Sequence, residues 1–250
     1  YRNAAVKHAD ETGWRTDGQN GYSWLFCTPD ISIYRFRSSR SASVAKEIFG
    51  DKPLPGVLVV DRYNGYNKMP SKIQYCYAHL LRTVKDLEKD FPENAEIKSF
   101  VEALTPQLAN AISLRTLDIT DKQFERQAAK IKDAIIEITN RQAKHPAIWK
   151  IQDIFREKAD RLYHWADDRN IPADNNLAER ELRPLVIARK ISFGSQSIAG
   201  ASTRETLMTV LHTLKKRVPD VTAAFKFALD RLVEQADLDL AKVLFNLNSS

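Results

Sequence analysis

Three acidic residues stand where they could do chemistry together: Asp10, Asp61 and Glu179. Asp10 closes the run Ala4-Ala5-Val6-Lys7-His8-Ala9, which reads as a short strand. Asp61 closes Gly56-Val57-Leu58-Val59-Val60, four aliphatics after a glycine, the pattern of a strand buried on both faces in parallel pairing. Glu179 belongs to a helix that opens near Asp174. A single aspartate at a strand end is ordinary turn or cap chemistry. Two on adjacent strands share the sheet edge where α/β proteins place their sites. Crowded carboxylates repel and call for a cation, and hard oxygen ligands suit Mg²⁺ or Mn²⁺. Two such ions about 3.5–4 Å apart activate an attacking oxygen and stabilise the leaving one in phosphoryl transfer.

The neighbours of these acids have two readings each. Asn175 and Asn176 precede Glu179 by four and three positions, so one of them shares its helix face. An amide there orients a carboxylate or a water, or it caps the helix. Arg180 and Arg183 hold phosphate bidentately or are surface charge. His79 contacts phosphate, supports the metal site, or caps the helix it begins. With Cys76 it makes Cys-x-x-His, half of a zinc pattern with no second half nearby, so zinc is not expected. His8 faces the same side of its strand as Asp10, and burial in the sheet is expected for it. Trp14 and Trp24 are expected to pack on the sheet.

These residues need elements to position them. Tyr22–Cys27 and Ile31–Arg37 read as strands, the latter alternating apolar and polar at period two. With the first strand they predict a three-stranded antiparallel meander, with Gly13, Asp17-Gly18 and Asn20-Gly21 as turn signals. Ser41–Phe49 reads as a helix ended by Gly50, Lys72–Tyr77 as a strand and His79–Lys89 as a helix. From about residue 93 to 168 strand signals vanish. Phe124, Ala128, Ile131, Ile135 and Ile138 form one apolar helical stripe, and Ile148, Ile151, Phe155, Ala159 and Leu162 another. The glutamate helix is expected to kink or stop at Pro184. A Gly/Ser loop over Ser192–Gly200 follows. Leu207, Val210, Leu211 and Leu214 then mark an amphipathic helix, and Val221, Phe225, Ala228 and Leu232 another.

Four motifs in order resemble those of the insertion sequence 66 family of transposases. They are Asp10-Glu11-Thr12-Gly13-Trp14-Arg15, Asp61-Arg62-Tyr63-Asn64-Gly65-Tyr66-Asn67, Cys76-Tyr77-Ala78-His79-Leu80-Leu81-Arg82, and Asp174-Asn175-Asn176-Leu177-Ala178-Glu179-Arg180 with Glu181-Leu182-Arg183-Pro184-Leu185. The Gly194–Ala201 loop also fits, with Phe193 and Ile198 as small departures, and the resemblance runs from about Ala5 to Arg217. It implies a DDE enzyme with a ribonuclease H-like fold: an α/β mixed sheet with an all-helical insertion before the glutamate-bearing helix. Asp10, Asp61 and Glu179 would be its metal-binding triad, holding Mg²⁺ or Mn²⁺, two ions in all. DNA would be cleaved at transposon ends by activated water, and the freed 3′-hydroxyl would attack target DNA with no covalent protein intermediate. The partners implied are transposon-end and target DNA and further copies of the chain in the active complex. Two rivals stand beside this reading: a catalytically silent DNA-binding remnant of a truncated element, and a ribonuclease H-like nuclease.

Composition sets the outer bounds. The chain has 250 residues, 43% hydrophobic and 28% charged, enough for a sizeable core. The expected segments are 1–92 and 171–250 for the catalytic fold and 93–170 for the helical insertion. No apolar run is long enough to span a membrane and no signal peptide is visible. Two cysteines, Cys27 and Cys76, make no disulfide framework, so a reducing cytoplasm is expected; the family resemblance implies that it is bacterial and that the protein works at the nucleoid. The chain opens on Tyr1 and lacks the family's N-terminal DNA-binding elements, so it reads as a fragment. Net charge is +6. A surplus of that size is held by Arg180, Arg183, Arg189, Lys190, Arg204, Lys215, Lys216 and Arg217 against Glu181 and Glu205, which suggests a surface that meets phosphates.

Overall fold

The computed structural model describes residues 1–245; the last positions of the expected 171–250 segment lie outside the described residues. The chain forms two compact units, one of Arg2–Asp10 and Arg40–Arg180, the other of Tyr1, Glu11–Ser39 and the chain from Glu181 onward. The α/β class is present, built on a five-stranded mixed sheet. Strand order is β3-β2-β1-β4-β5, with β1 at Val6–Thr16, β2 at Gln19–Cys27, β3 at Ser32–Arg37, β4 at Val57–Val60 and β5 at Lys72–Tyr75.

The unit of Arg2–Asp10 and Arg40–Arg180 holds the parallel half of the sheet. Val6, Lys7 and His8 of β1 pair in parallel with Val57, Leu58 and Val59, and all four β4 residues are buried between β1 and β5. That is the burial expected from four consecutive aliphatics. Gly56 permits the entry to β4: its φ is +72°, and a Cβ there would sit 2.2 Å from the Ala5 carbonyl oxygen. Helix α1 (Ala42–Phe49) starts after Ser41 and ends at Gly50, whose φ is +68°. After β5 the chain is helical: α2 (Tyr77–Asp90), α3 (Ala95–Leu114), α4 (Asp121–Asn140), α5 (Pro146–Glu157) and α6 (His164–Asp167). Phe124, Ala128, Ile135 and Ile138 on α4 and Ile148, Ile151 and Phe155 on α5 are buried as the stripes predicted. Ala159 is exposed because α5 has already ended at Glu157.

The other unit holds the meander. A two-residue Asp17-Gly18 turn joins β1 to β2, both residues at positive φ. Gly13 and Asn20-Gly21, expected as turns, lie inside strands instead, so Asp10 sits within a long β1 rather than near its end. Helix α7 (Asn176–Ser192) runs on past Pro184, correcting the expectation that it could stop there. Pro184 and Arg183 are exposed, so the helix carbonyl that Pro184 cannot satisfy is on a solvated turn. The loop to α8 (Ile198–Arg217) is shorter than expected, because the Ser197 hydroxyl caps the Gly200 N–H and helix begins at Ile198. Helices α9 (Val221–Glu234) and α10 (Leu240–Phe245) follow.

The packing of α8 corrects the expected apolar stripe in part: Leu214 is buried and Val210 half-buried. Leu207 and Leu211 are exposed, at 43% and 36%. The face laid on edge strand β3 is polar. Glu205, Thr209 and Thr213 accept from the backbone N–H groups of Phe36, Tyr34 and Ser32 at 2.8, 3.0 and 3.1 Å. Four helix residues rise about 6 Å and two strand residues about 6.6 Å, so the two ladders stay in step. A strand edge that would otherwise present free donors is closed by side chains. No helix among the described residues is long and apolar enough to cross a membrane.

Candidate active site

Asp10, Asp61 and Glu179 all belong to the unit of Arg2–Asp10 and Arg40–Arg180. Continuing the β1–β4 register beyond His8 and Val59 sets Asp10 opposite Asp61. Continuing the β4–β5 register beyond Val60 and Tyr75 sets Asp61 opposite Cys76, and the Cys76 N–H indeed donates to the Val60 carbonyl at 2.8 Å. By that continuation the two aspartates and Cys76 would share one level across neighbouring parallel strands. Asp61 is half-buried, and its Oδ1 accepts the Tyr63 N–H at 2.9 Å.

Glu179 arrives on the first turn of α7, and a buried amide fixes where that turn begins. Asn175, 1% exposed, stands at the N-cap position, its carbonyl accepting the Glu179 N–H at 3.1 Å. Its Oδ1 lies 2.9 Å from His8 Nδ1, its Nδ2 donates to the Ala9 carbonyl at 2.9 Å, and its N–H donates to Cys76 Sγ at 3.2 Å. Residues alternate along β1, so the face that His8 offers to Asn175 is also the face of Asp10. Tyr77 N–H to the Ala173 carbonyl at 2.7 Å ties the same segment to the start of α2. Of the two asparagines, Asn175 is thus an internal clamp. Asn176 is exposed and bonded to Asp174, whose Oδ1 accepts the Asn176 N–H at 3.0 Å.

His79 lies on the first turn of α2. Its Nδ1 and Glu179 Oε1 face each other at 3.8 Å, beyond hydrogen-bond range, and both atoms are buried without a hydrogen-bond partner. With Cys76 they form a group whose ligand atoms lie within 4.8 Å of one another, the one group of three metal-ligating side chains found among the described residues; Asp10 and Asp61 are not in it. Burial pushes the Cys76 thiol up to about 11, while backbone N–H groups of His79, Asn175 and Ala78 pull the other way. Spacing alone could not reveal this group, because Glu179 is distant in sequence from the Cys-x-x-His pair.

Three further motif residues make contacts within the protein. Asn67 Oδ1 accepts from the Tyr75 hydroxyl at 2.6 Å and from Arg161 at 2.5 Å, and Tyr66 is buried against the edge of the Tyr63 ring at 5.9 Å. Arg62 donates to Thr83 at 2.9 Å.

The basic residues divide sharply. Arg183, Lys190 and Lys215 are exposed. Arg180 is exposed and bonds back to the Asn176 carbonyl at 3.3 Å. Arg189 donates to the Gly13 carbonyl at 2.6 Å and to Thr12 at 3.2 Å. Lys216, its side chain 10% exposed, donates to the Thr28 and Ile31 carbonyls and pairs with Glu181 at 3.6 Å. Arg217 donates to the Asp30 carbonyl at 3.0 Å, and Arg204 lies over the Trp14 ring at 5.1 Å. Trp14 and Trp24 are buried, as expected of packing residues.

Residues 1–203 match the model of the Transposase IS66 family. Two curated proteins of Sinorhizobium fredii (strain NBRC 101917 / NGR234) are similar over most of this chain. Uncharacterized protein y4jD is 27% identical across 84% of it, and Uncharacterized protein y4qI is 26% identical across 90%. The chain spans 44% and 47% of their lengths, under half of each. Among solved structures it is similar to the HTLV-2 integrase catalytic core domain in complex with magnesium, in its trimeric form. That likeness covers 60% of this chain and 97% of the other at 10% identity and a TM-score of 0.22.

Proposed function

Since this chain belongs to the IS66 family of transposases, we propose that it is the catalytic part of an enzyme that cuts DNA at transposon ends and joins the freed 3′ ends to target DNA. What supports the reading is the parallel register through His8 and Val59, which continued by two residues would set Asp10 opposite Asp61, with the start of α7 clamped to the same strand by Asn175. Asp10, Asp61 and Glu179 offer the hard carboxylate oxygens that Mg²⁺ or Mn²⁺ prefer, and the unpartnered, buried Glu179 Oε1 is an acceptor with no protein donor to answer it. Bound there, two such ions would activate the attacking oxygen and stabilise the leaving one.

The protein's own part is positioning. The β1–β4 ladder leads into the two aspartates, and the Asn175 clamp fixes the start of the helix that carries Glu179. Arg183, Lys190 and Lys215 are free to meet phosphates, through contacts that are largely independent of sequence. Arg180 can join them by exchanging its bond to Asn176, whereas Arg189, Lys216 and Arg217 each hold a bond to a backbone carbonyl, and the Lys216 side chain is only 10% exposed. The active complex contains several copies of the chain. Ile198, Phe227 and Val233 stand 75%, 57% and 89% exposed, apolar surface of the kind that self-association covers.

A strand-transfer assay with pre-cleaved transposon-end DNA and Mn²⁺ tests the proposal. Joining by the parent, abolished in Asp61→Asn at an unchanged unfolding midpoint, is the expected result. Asparagine keeps the acceptor for the Tyr63 N–H and removes only the charge. Cutting without joining would make the chain a nuclease, binding alone would make it a silent remnant, and parental joining by Asp61→Asn would remove Asp61 from the site.

A further inference from the structure

We propose that Cys76, His79 and Glu179 form a binding site for a thiophilic divalent transition metal, Zn²⁺ above all, distinct in ligand chemistry from an all-carboxylate Mg²⁺ site. The three ligand atoms lie within 4.8 Å of one another. On a tetrahedron with metal–ligand bonds of about 2.0–2.3 Å, neighbouring ligands are about 3.3–3.8 Å apart. His79 Nδ1 and Glu179 Oε1 already stand at 3.8 Å and have no other partner, which is costly for buried polar atoms unless something between them answers both.

The sulfur is prepared in the same way. Cys76 is the N-cap of α2, and the Asn175 N–H donates to its Sγ at 3.2 Å. Such a donor stabilises a thiolate once a metal has displaced the proton. Capture therefore forms the metal–sulfur bond and releases the thiol proton to solvent. The side chains of His79 and Glu179 are each 31% exposed, which leaves a path for the ion and a fourth position for water. Thiolate and imidazole favour Zn²⁺ over Mg²⁺. Since Glu179 also belongs to the proposed triad, an occupied site withdraws that carboxylate from the aspartates. This consequence rests on the functional reading above, whereas metal capture itself does not.

Cobalt titration of the intact chain tests the site. One equivalent of Co²⁺ should give the near-ultraviolet thiolate-to-cobalt charge-transfer band, and one equivalent of Zn²⁺ should bleach it. Cys76→Ser should lose the band while Cys27→Ser keeps it. His79→Ala should weaken Co²⁺ binding by about tenfold or more while retaining the band at saturation. Circular dichroism shows whether each variant is folded, and His79→Ala carries the test if Cys76→Ser is not. Asp10→Asn and Asp61→Asn should give the thiolate-to-cobalt band at the parent's Co²⁺ concentration, so loss of strand joining and loss of this site are separately visible. The absence of a band in the parent, its survival in Cys76→Ser, or undiminished affinity in His79→Ala would overturn the proposal.

Discussion

Asn175 and His8 meet side chain to side chain, Oδ1 to Nδ1 at 2.9 Å, with both residues buried. The contact joins the residue before α7 to the strand that carries Asp10. It converts an ordinary helix start into a fixed one, because the amide spends its donor on the Ala9 carbonyl and its acceptor on the imidazole. Glu179 is one helical turn further on, so its position follows from this clamp.

Replacing Asn175 by alanine removes its buried bonds to the His8 imidazole and the Ala9 carbonyl. Leaving a buried polar group unsatisfied costs roughly 1–3 kcal/mol. Asn175→Ala should therefore lower the urea unfolding free energy by at least that amount and, if Glu179 acts in cleavage, depress cleavage as well. A stability within about 0.5 kcal/mol of the parent, the range of an ordinary surface change, would show that the clamp contributes little.

The helix-to-edge ladder makes a second prediction. Thr213 accepts from the Ser32 N–H at 3.1 Å and donates to the Ser32 carbonyl at 3.0 Å, in a buried setting. Thr213→Val keeps the shape and removes both bonds. Stability should fall by roughly 1–3 kcal/mol, and hydrogen exchange at the Ser32 amide should accelerate more than at β4. Unchanged Ser32 exchange would mean that α8 does not close the edge.

Glu181 supplies a pH dependence. Burial pushes its carboxyl upward, but the hydrogen bond with His212, the Lys216 ammonium and the Ser32 hydroxyl outweigh burial and hold it below the ordinary carboxylate value. A group depressed on folding stabilises above its unfolded pKa and loses that contribution as pH falls through the folded one. The stability difference between the parent and Glu181→Gln should be greatest near neutrality and shrink through and below the ordinary carboxylate range. A difference that grows on acidification would contradict the assignment.

The partition of basic residues predicts DNA affinity. Arg183→Ala, Lys190→Ala and Lys215→Ala should each weaken binding similarly on unrelated sequences and reduce the slope of log affinity against log salt by about 1. Lys216→Ala should act mainly on stability, since its ammonium is committed to two carbonyls and Glu181. A full unit of salt slope lost in Lys216→Ala without destabilisation would reverse the partition.

Local pattern determined a great deal here. The aliphatic run Val57–Val60 specifies a strand buried on both faces, Gly50 ends α1, and the stripes of α4 and α5 show the faces they bury, because period and glycine conformation act over a few residues. The order of the four motifs was likewise legible along the chain. What the chain could not state locally was decided by distant partners. Gly13 and Asn20-Gly21 carry turn chemistry yet are held in strands, since pairing overrides propensity. Leu207 and Leu211 have the spacing of a core stripe yet lie exposed, because β3 offered open backbone donors that threonines and a glutamate could satisfy. Asn175 as a clamp, and Cys76, His79 and Glu179 as one cluster, exist only where two helix starts converge on the sheet. Hydrogen bonds and ligand sets are set by distance in space, and residues far apart along the chain carry no spacing signal for it.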